Sequence, residues 1–263
     1  MKYLNQNLPA IKKEIEKAGG SILILDFDGT LSPIAQVPGR ARLPEKTKQE
    51  IKNCLSRFPV VIVSGRALAD IKKKMGIKGL IYAGSHGLEW QIGKQYYCAG
   101  VSEGARRQLA LAINHFKKIL PKYPGMFLED KRISLAIHYR KVKQSQLAGF
   151  KKEAREIIKS LNQKDLMLVE GKKVFELRPR LNWNKGHFVK FISRHLQLKQ
   201  KKHLLPVYVG DDTTDEDVFK MSQRTITIRV GKKKNSGAKY YIKNQKQINR
   251  FLAWLLSVNP GVI

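Results

Sequence analysis

Four short apolar runs that stop abruptly at small or polar residues constrain this chain more than any other feature. They are Ile22-Leu23-Ile24-Leu25 before Asp26, Val60-Val61-Ile62-Val63 before Ser64-Gly65-Arg66, Leu80-Ile81-Tyr82-Ala83 before Gly84-Ser85-His86-Gly87, and Val207-Tyr208-Val209 before Gly210-Asp211-Asp212. Unbroken apolar runs of this length suit strands buried on both faces. Helical spacing lies between them. Residues 44 to 58 open with Pro44 in a first-turn position and set Ile51, Leu55 and Phe58 on one face. Residues 67 to 75 do the same with Leu68, Ile71 and Met75, and Gly76 can close that helix. Helices over 185–195 and near 245–257, and a strand over 225–230, continue the pattern. Such alternation predicts an open parallel α/β sheet, whose ligands bind beyond the carboxyl ends of the strands. All four polar segments fall there.

Between residues 101 and 179 the pattern changes. An amphipathic helix over 104–120 carries Leu109, Ile113, Phe116 and Leu120 on one side. Residues 127 to 140 then alternate, with Ile133, Leu135, Ile137 and Tyr139 opposite Arg132, Ser134, Ala136, His138 and Arg140. A helix over 145–161 follows, then a hairpin of 166–169 and 173–177 turning at Glu170-Gly171-Lys172. This predicts a small α+β insert at 101–179 in a core made of 1–100 and 180–263.

Composition excludes some classes. No apolar run approaches the ~20 residues that span a bilayer, and the first 20 residues lack an apolar signal-peptide core. A cytoplasmic protein with no membrane partner is the expectation. Cys54 and Cys98 show no metal or redox spacing and are expected to be reduced, mostly buried thiols. The net charge of +30, from 51 basic and 21 acidic residues, raises the prospect of nucleic-acid binding. The lysines are scattered, however, and no zinc-finger, basic-zipper or aromatic ribonucleoprotein motif accompanies them. The charge reads as a solvated surface with nonspecific polyanion contact and no specific nucleic-acid partner.

The acids are clustered instead. Asp26 and Asp28, with Asp211, Asp212, Asp215, Glu216 and Asp217, place seven of 21 acidic residues in two short segments. Carboxylates at such density repel one another unless a cation or a reaction accounts for them. Asp26 and Asp28 stand two apart at a strand end, so both can face one site, and Gly29 allows the turn after them. One can attack phosphorus while the other moves a proton. Alone, the pair fits a turn or cap equally well. The second acidic segment, at the end of another strand, makes a shared site the better reading, with Asp26, Asp28, Asp211, Asp212 and Asp215 as oxygen ligands for Mg²⁺. Glu216 and Asp217 suit a helix N-terminus, with Thr214 as its N-cap. Ser64 and the N–H groups of Gly65 and Arg66 can receive phosphate oxygens, and Lys185 can offset charge between nucleophile and phosphate.

The ordered set Asp26-x-Asp28-x-Thr30, Ser64, Lys185 and Gly210-Asp211-Asp212-x-x-Asp215 resembles the haloacid dehalogenase superfamily of phosphohydrolases. The finer wording is similar to the trehalose-6-phosphate phosphatase family. It is carried by Leu25 to Ile34, Val63-Ser64-Gly65-Arg66, Gly84-Ser85-His86-Gly87, Leu128-Glu129-Asp130-Lys131, His138-Tyr139-Arg140, Glu176-Leu177-Arg178-Pro179, Trp183-Asn184-Lys185-Gly186 and Gly210 to Phe219. Phe27, Ser32 and His187 depart mildly from the family's usual wording.

The resemblance implies a two-step phosphatase. Asp26 is its nucleophile, Asp28 its acid and base, and Ser64 and Lys185 stabilise charge. Mg²⁺ is its cofactor and a small sugar phosphate its partner. It also implies that the insert is a cap over the sugar, with Thr30, Gly65, Arg66, His86, Glu129, Lys131, His138, Arg140, Lys173, Glu176 and Arg178 as substrate contacts. Trp90 and Trp183 read as packing residues. Other capped sugar phosphatases, acting on sucrose phosphate or mannosyl phosphoglycerate, share the core motifs. A phosphomutase shares the nucleophile, and a basic nucleic-acid-binding protein on the same fold would account for the charge.

Overall fold

The computed structural model describes residues 1–35, 37–162, 164–221 and 224–258. It holds two compact units, Met1–Tyr97 with Trp183–Ile263 and, separately, Cys98–Asn182.

The first unit is built on a nine-stranded sheet. Its strands are β1 (Lys2–Tyr3), β2 (Ser21–Leu25), β3 (Val60–Val63), β4 (Ile81–Gly84), β5 (Glu89–Ile92), β6 (Gln95–Cys98), β11 (Leu205–Gly210), β12 (Ile226–Val230) and β13 (Tyr240–Ile242). Their order is β1-β13-β12-β11-β2-β3-β4-β5-β6. The pairs from β1 to β4 are parallel and β4–β5 is antiparallel. The expected open parallel sheet is therefore present. The antiparallel edge and the two-residue β1 went unread, because β5 and β6 are polar, half-exposed strands without a buried apolar run.

Every residue of β2, β3 and β11 is buried, as unbroken apolar runs require. One face packs on α1 (Leu8–Lys17), α2 (Glu45–Leu55), α3 (Leu68–Met75) and α8 (Ile248–Ser257). Ile11, Ile51, Ile71 and Leu252 meet Leu23, Ile62 and Val207 in that core. Gly76, at φ 58°, ends α3 in the left-handed conformation. α6 (Lys185–Gln200) and α7 (Glu216–Met221) complete the helices of this unit. The buried ring of Tyr208 packs edge-on against Phe219 of α7. Cys54 is buried, which pushes its thiol up to about 12 and leaves it inert as a nucleophile. Among the described residues no helix is long and apolar enough to cross a membrane.

The second unit is an antiparallel sheet in the order β7 (Phe127–Asp130), β8 (Leu135–His138), β10 (Val174–Pro179), β9 (Leu166–Gly171). One face carries Leu135, Ile137, Phe175 and Leu177 against Leu109 and Phe116 of α4 (Glu103–Ile119) and Phe150 and Ile158 of α5 (Leu147–Ser160). Residues 127–140 are not one alternating strand. They turn between β7 and β8, and Arg132 takes φ 68° in that turn. The β9–β10 hairpin turns at Lys172-Lys173 rather than at Glu170-Gly171-Lys172, with Gly171 paired to Val174 and Lys173 at φ 66°. A non-glycine residue accepts the left-handed conformation there because the turn is only two residues long.

Candidate active site

β2 lies between β3 and β11, where the order of the sheet reverses, so the two acidic segments leave adjacent strands at their carboxyl ends. The Asp26 N–H donates to the Val209 carbonyl at 2.9 Å, holding the segments side by side. One carboxylate oxygen each from Asp26, Asp211 and Asp215 comes within 4.8 Å of the others, in a group of acids that could hold a metal ion. Gly29 is at φ 80° and lies so close to the Asp211 carboxylate that a Cβ there would collide with it. Only glycine fits.

Lys185, the first residue of α6, is 2% exposed and reaches into this group. Its ammonium donates to Asp26 Oδ1 and to Asp215 Oδ1, both at 2.6 Å. Asn184 caps the helix, its side chain accepting from the His187 N–H at 3.0 Å. Asp215 has both oxygens filled. Oδ1 also accepts the Tyr208 hydroxyl at 2.6 Å, and Oδ2 accepts the N–H groups of Asp211 and Asp212 at 2.8 and 2.9 Å. Asp211 Oδ1 accepts the Thr30 hydroxyl at 3.1 Å. Asp26 Oδ2 and Asp211 Oδ2 have no hydrogen-bond partner among the described residues. They are hard oxygen donors, and a divalent cation suits them.

The electrostatics agree with that chemistry. Burial, then Asp215, push the Asp211 carboxyl up to about 7. Burial also raises Asp26 well above its ordinary value against the lowering pull of Lys185, and the charges of Asp215 and Asp211 add to the rise. Asp215 goes the other way: burial would raise it, but Lys185 and its several hydrogen bonds hold it down. Burial lowers Lys185, yet Asp215 and Asp26 carry it above its usual value, so it stays charged. Two carboxylates are thus held above their ordinary range, by burial first and by neighbouring carboxylates second. A bound cation would favour their charged forms.

Around this cluster, the Arg66 guanidinium grips Asp28, Nε to Oδ2 at 2.7 Å and Nη2 to Oδ1 at 2.6 Å, and donates to Asp70 at 2.8 Å. Ser64 is buried at the end of β3, and its Oγ accepts the Arg66 N–H at 3.2 Å. His86, at φ 60°, lays its imidazole against Gly65 so closely that a Cβ at 65 would meet the ring at 2.7 Å. The Trp183 indole donates to the Gly87 carbonyl at 2.8 Å and stacks on Trp90, as its packing role requires. Asp212 is exposed and outside the oxygen cluster. It caps the turn at 213–215, forming a reciprocal pair of hydrogen bonds with Asp215. Thr214 is therefore not the N-cap.

Glu216 does not merely sit at a helix start. It forms a buried ion pair with Arg229 at 3.0 Å and accepts the Gly237 N–H at 2.9 Å. Arg229 also donates to the carbonyls of Asp211 and Asp212 and so clamps the acidic loop. Neither Arg229 nor Tyr208 stood out in the sequence. A single charge inside the buried run Ile226-Thr227-Ile228-Arg229-Val230 was the available signal, since a buried guanidinium needs carboxylate or carbonyl partners.

In the second unit, Lys131 donates to Glu176 at 3.0 Å, Arg178 to Glu176 at 2.5 Å, and His138 Nε2 meets Glu129 at 2.9 Å. Burial raises Glu176, but Lys131 and Arg178 hold it below its usual value. Arg140 is exposed and donates to the Lys172 carbonyl at 3.3 Å, while Lys173 is an exposed turn residue.

A family model described as trehalose-phosphatase matches residues 24–249. Trehalose-phosphate phosphatase B of Arabidopsis thaliana is 30% identical over 248 residues, covering 89% of this chain and 66% of that one. A trehalose 6-phosphate phosphatase of Zea mays is 31% identical over 248 residues, covering 88% and 68%. The chain thus spans about two thirds of the length of these relatives. The solved C-terminal domain of Candida albicans trehalose-6-phosphate phosphatase superposes with a TM-score of 0.75 at 26% identity, covering 96% of this chain and 97% of that one. The switch-point carboxylates, the buried lysine and the matched family model agree, and the chain belongs to the trehalose-phosphatase family, within the haloacid dehalogenase superfamily.

Proposed function

We propose that this protein hydrolyses trehalose 6-phosphate to trehalose and phosphate, using Mg²⁺ and a covalent aspartyl-phosphate. The observation that carries the reading is the pair of unfilled oxygens on Asp26 and Asp211, with the Lys185 ammonium fixed on Asp26. Asp26, Asp211 and the Asp28 carbonyl would hold the cation, and its charge would neutralise the phosphoryl oxygens. Asp215, with four donors on its two oxygens, keeps Lys185 and the Asp211 backbone in place.

In the first step an Asp26 carboxylate oxygen attacks phosphorus in line, and the bond from phosphorus to the sugar oxygen breaks. Asp28 gives its proton to that departing oxygen. In the second step Asp28 takes a proton from water, whose oxygen attacks phosphorus, and the phosphorus–Asp26 bond breaks to restore the carboxylate. Arg66 holds both oxygens of Asp28. An arriving phosphate can compete for that guanidinium and free Asp28 for proton transfer. Lys185 and Ser64 stabilise charge on the transferring group. Division into two steps suits a bond whose uncatalysed hydrolysis needs accelerations up to ~10²¹. We assign the unit Cys98–Asn182 as the cap, with Glu129, Lys131, His138, Arg140, Lys173, Glu176 and Arg178 toward the sugar, and Thr30, Gly65, Arg66 and His86 toward the phosphate.

Replacement Asp26→Asn tests the nucleophile. Phosphate release from trehalose 6-phosphate should fall at least about a thousand-fold, and substantial remaining Mg²⁺-dependent turnover contradicts the assignment.

A further inference from the structure

The antiparallel sheet of the second unit has one face packed on α4 and α5 and a second face of different character. Alternation along the strands puts Phe127, Glu129, His138, Glu176 and Arg178 on that second face. Phe127 is 52% exposed, the most exposed large apolar side chain described in this unit. Single exposed apolar side chains are common on soluble proteins and by themselves mean nothing. This ring is different because its position is fixed. Phe127 pairs with His138 across β7 and β8, and the two rings stack at 4.6 Å between centroids and 10° between planes. The imidazole is held in turn by Glu129, at 2.9 Å from Nε2. A carboxylate thus orients a histidine, and the histidine orients a phenyl ring that stays half exposed.

A hexopyranose has the complementary chemistry. Its axial C–H groups form an apolar face that suits an aromatic plane, and its rim of hydroxyls suits carboxylates and cations beside that plane. Both carboxylates of this face have positively charged or ring N–H partners, Glu129 with His138 and Glu176 with Lys131 and Arg178. The face is therefore charge-compensated, which favours a neutral polyhydroxylated group over a second phosphate. We propose that Phe127, stacked on His138, is a platform for a sugar ring of the substrate and a determinant of sugar affinity. The proposal rests on the sugar-phosphate reading above.

The test compares Phe127→Ala and Phe127→Tyr with the wild type on trehalose 6-phosphate and on p-nitrophenyl phosphate, which has no sugar. It also includes calorimetric titration of trehalose itself. Phe127→Ala should raise KM for trehalose 6-phosphate about five-fold and weaken trehalose binding by a similar factor, within the range of an aromatic stacking contact. The kcat, and turnover of p-nitrophenyl phosphate, should stay within about two-fold, and Phe127→Tyr should restore affinity. Unchanged KM and unchanged trehalose affinity in Phe127→Ala overturn the platform, as does an equal loss on both phosphates. A wild-type protein that acts on another sugar phosphate and not on trehalose 6-phosphate overturns the substrate assignment instead. The same comparison with that sugar phosphate then decides the platform.

Discussion

The two units treat their carboxylates in opposite ways. In the first, Asp26, Asp211 and Asp215 share a single buried ammonium, and Asp211 is left at about 7 with an unfilled oxygen. In the second, Glu176 alone meets two cations, Lys131 and Arg178, and is held below its usual value. The first arrangement lacks positive charge and suits an incoming cation. The second is already compensated, and what it offers is hydrogen-bonding capacity for a neutral ligand. Burial alone does not separate them, because Glu176 and Asp26 are both buried. The ratio of cations to carboxylates does.

The largest test of this contrast removes the one shared cation. Lys185→Met leaves Asp26 and Asp215 buried without an ammonium. It should cost about 3–5 kcal/mol of stability, lower Tm by about 10 °C and reduce turnover at least about a hundred-fold, as read by thermal denaturation and phosphate release. Retention of both would mean that the cluster is not short of charge. Next comes the clamp. Arg229→Met paired with Glu216→Gln removes the grip on the Asp211 and Asp212 carbonyls without stranding a buried charge. Mg²⁺ affinity, followed calorimetrically, should weaken about ten-fold or more, while affinity for trehalose holds.

A smaller effect is expected in the compensated unit. Glu129→Gln removes a charge but keeps hydrogen-bonding capacity, and should raise KM for trehalose 6-phosphate about five-fold with Mg²⁺ affinity unchanged. A change in Mg²⁺ affinity would erase the distinction between the units.

The smallest effect is in pH. Asp211 in the folded, metal-free protein is at about 7, above its ordinary 3.8. Between these values the folded state holds a proton that the unfolded chain has released. Metal-free stability therefore falls as pH rises through that window and levels off above it. The gain in Tm from Mg²⁺ should grow over the same interval, and Asp211→Asn should flatten the decline. Glu176 has the opposite sign. Its contribution is present above its ordinary 4.5 and is lost as pH falls through its lower folded value. Glu176→Gln should lower stability above that range and remove the acid limb.

The parallel sheet and the meeting of the two acidic segments were legible because both depend on features local to the sequence. Unbroken runs at 22–25 and 207–209 mark buried strands, and carboxylates at their ends meet once those strands are neighbours. What stayed hidden depends on partners far along the chain. Tyr208 looked like one more apolar strand residue until Asp215 lay at 2.6 Å from its hydroxyl. Glu216 reads as helix-start charge until Arg229 on β12 comes to it. Asp212 reads as a ligand beside Asp211, yet the turn that follows needs a cap and takes its side chain. Phe127 is silent in sequence because its stacking partner, His138, depends on cross-strand register.

The most direct test of the central claim is phosphate release from trehalose 6-phosphate with Mg²⁺, with and without a chelator, beside a panel of other sugar phosphates. The account predicts metal-dependent release that the chelator abolishes, with trehalose 6-phosphate the preferred substrate. Release indifferent to the chelator, or faster on another sugar phosphate, contradicts it.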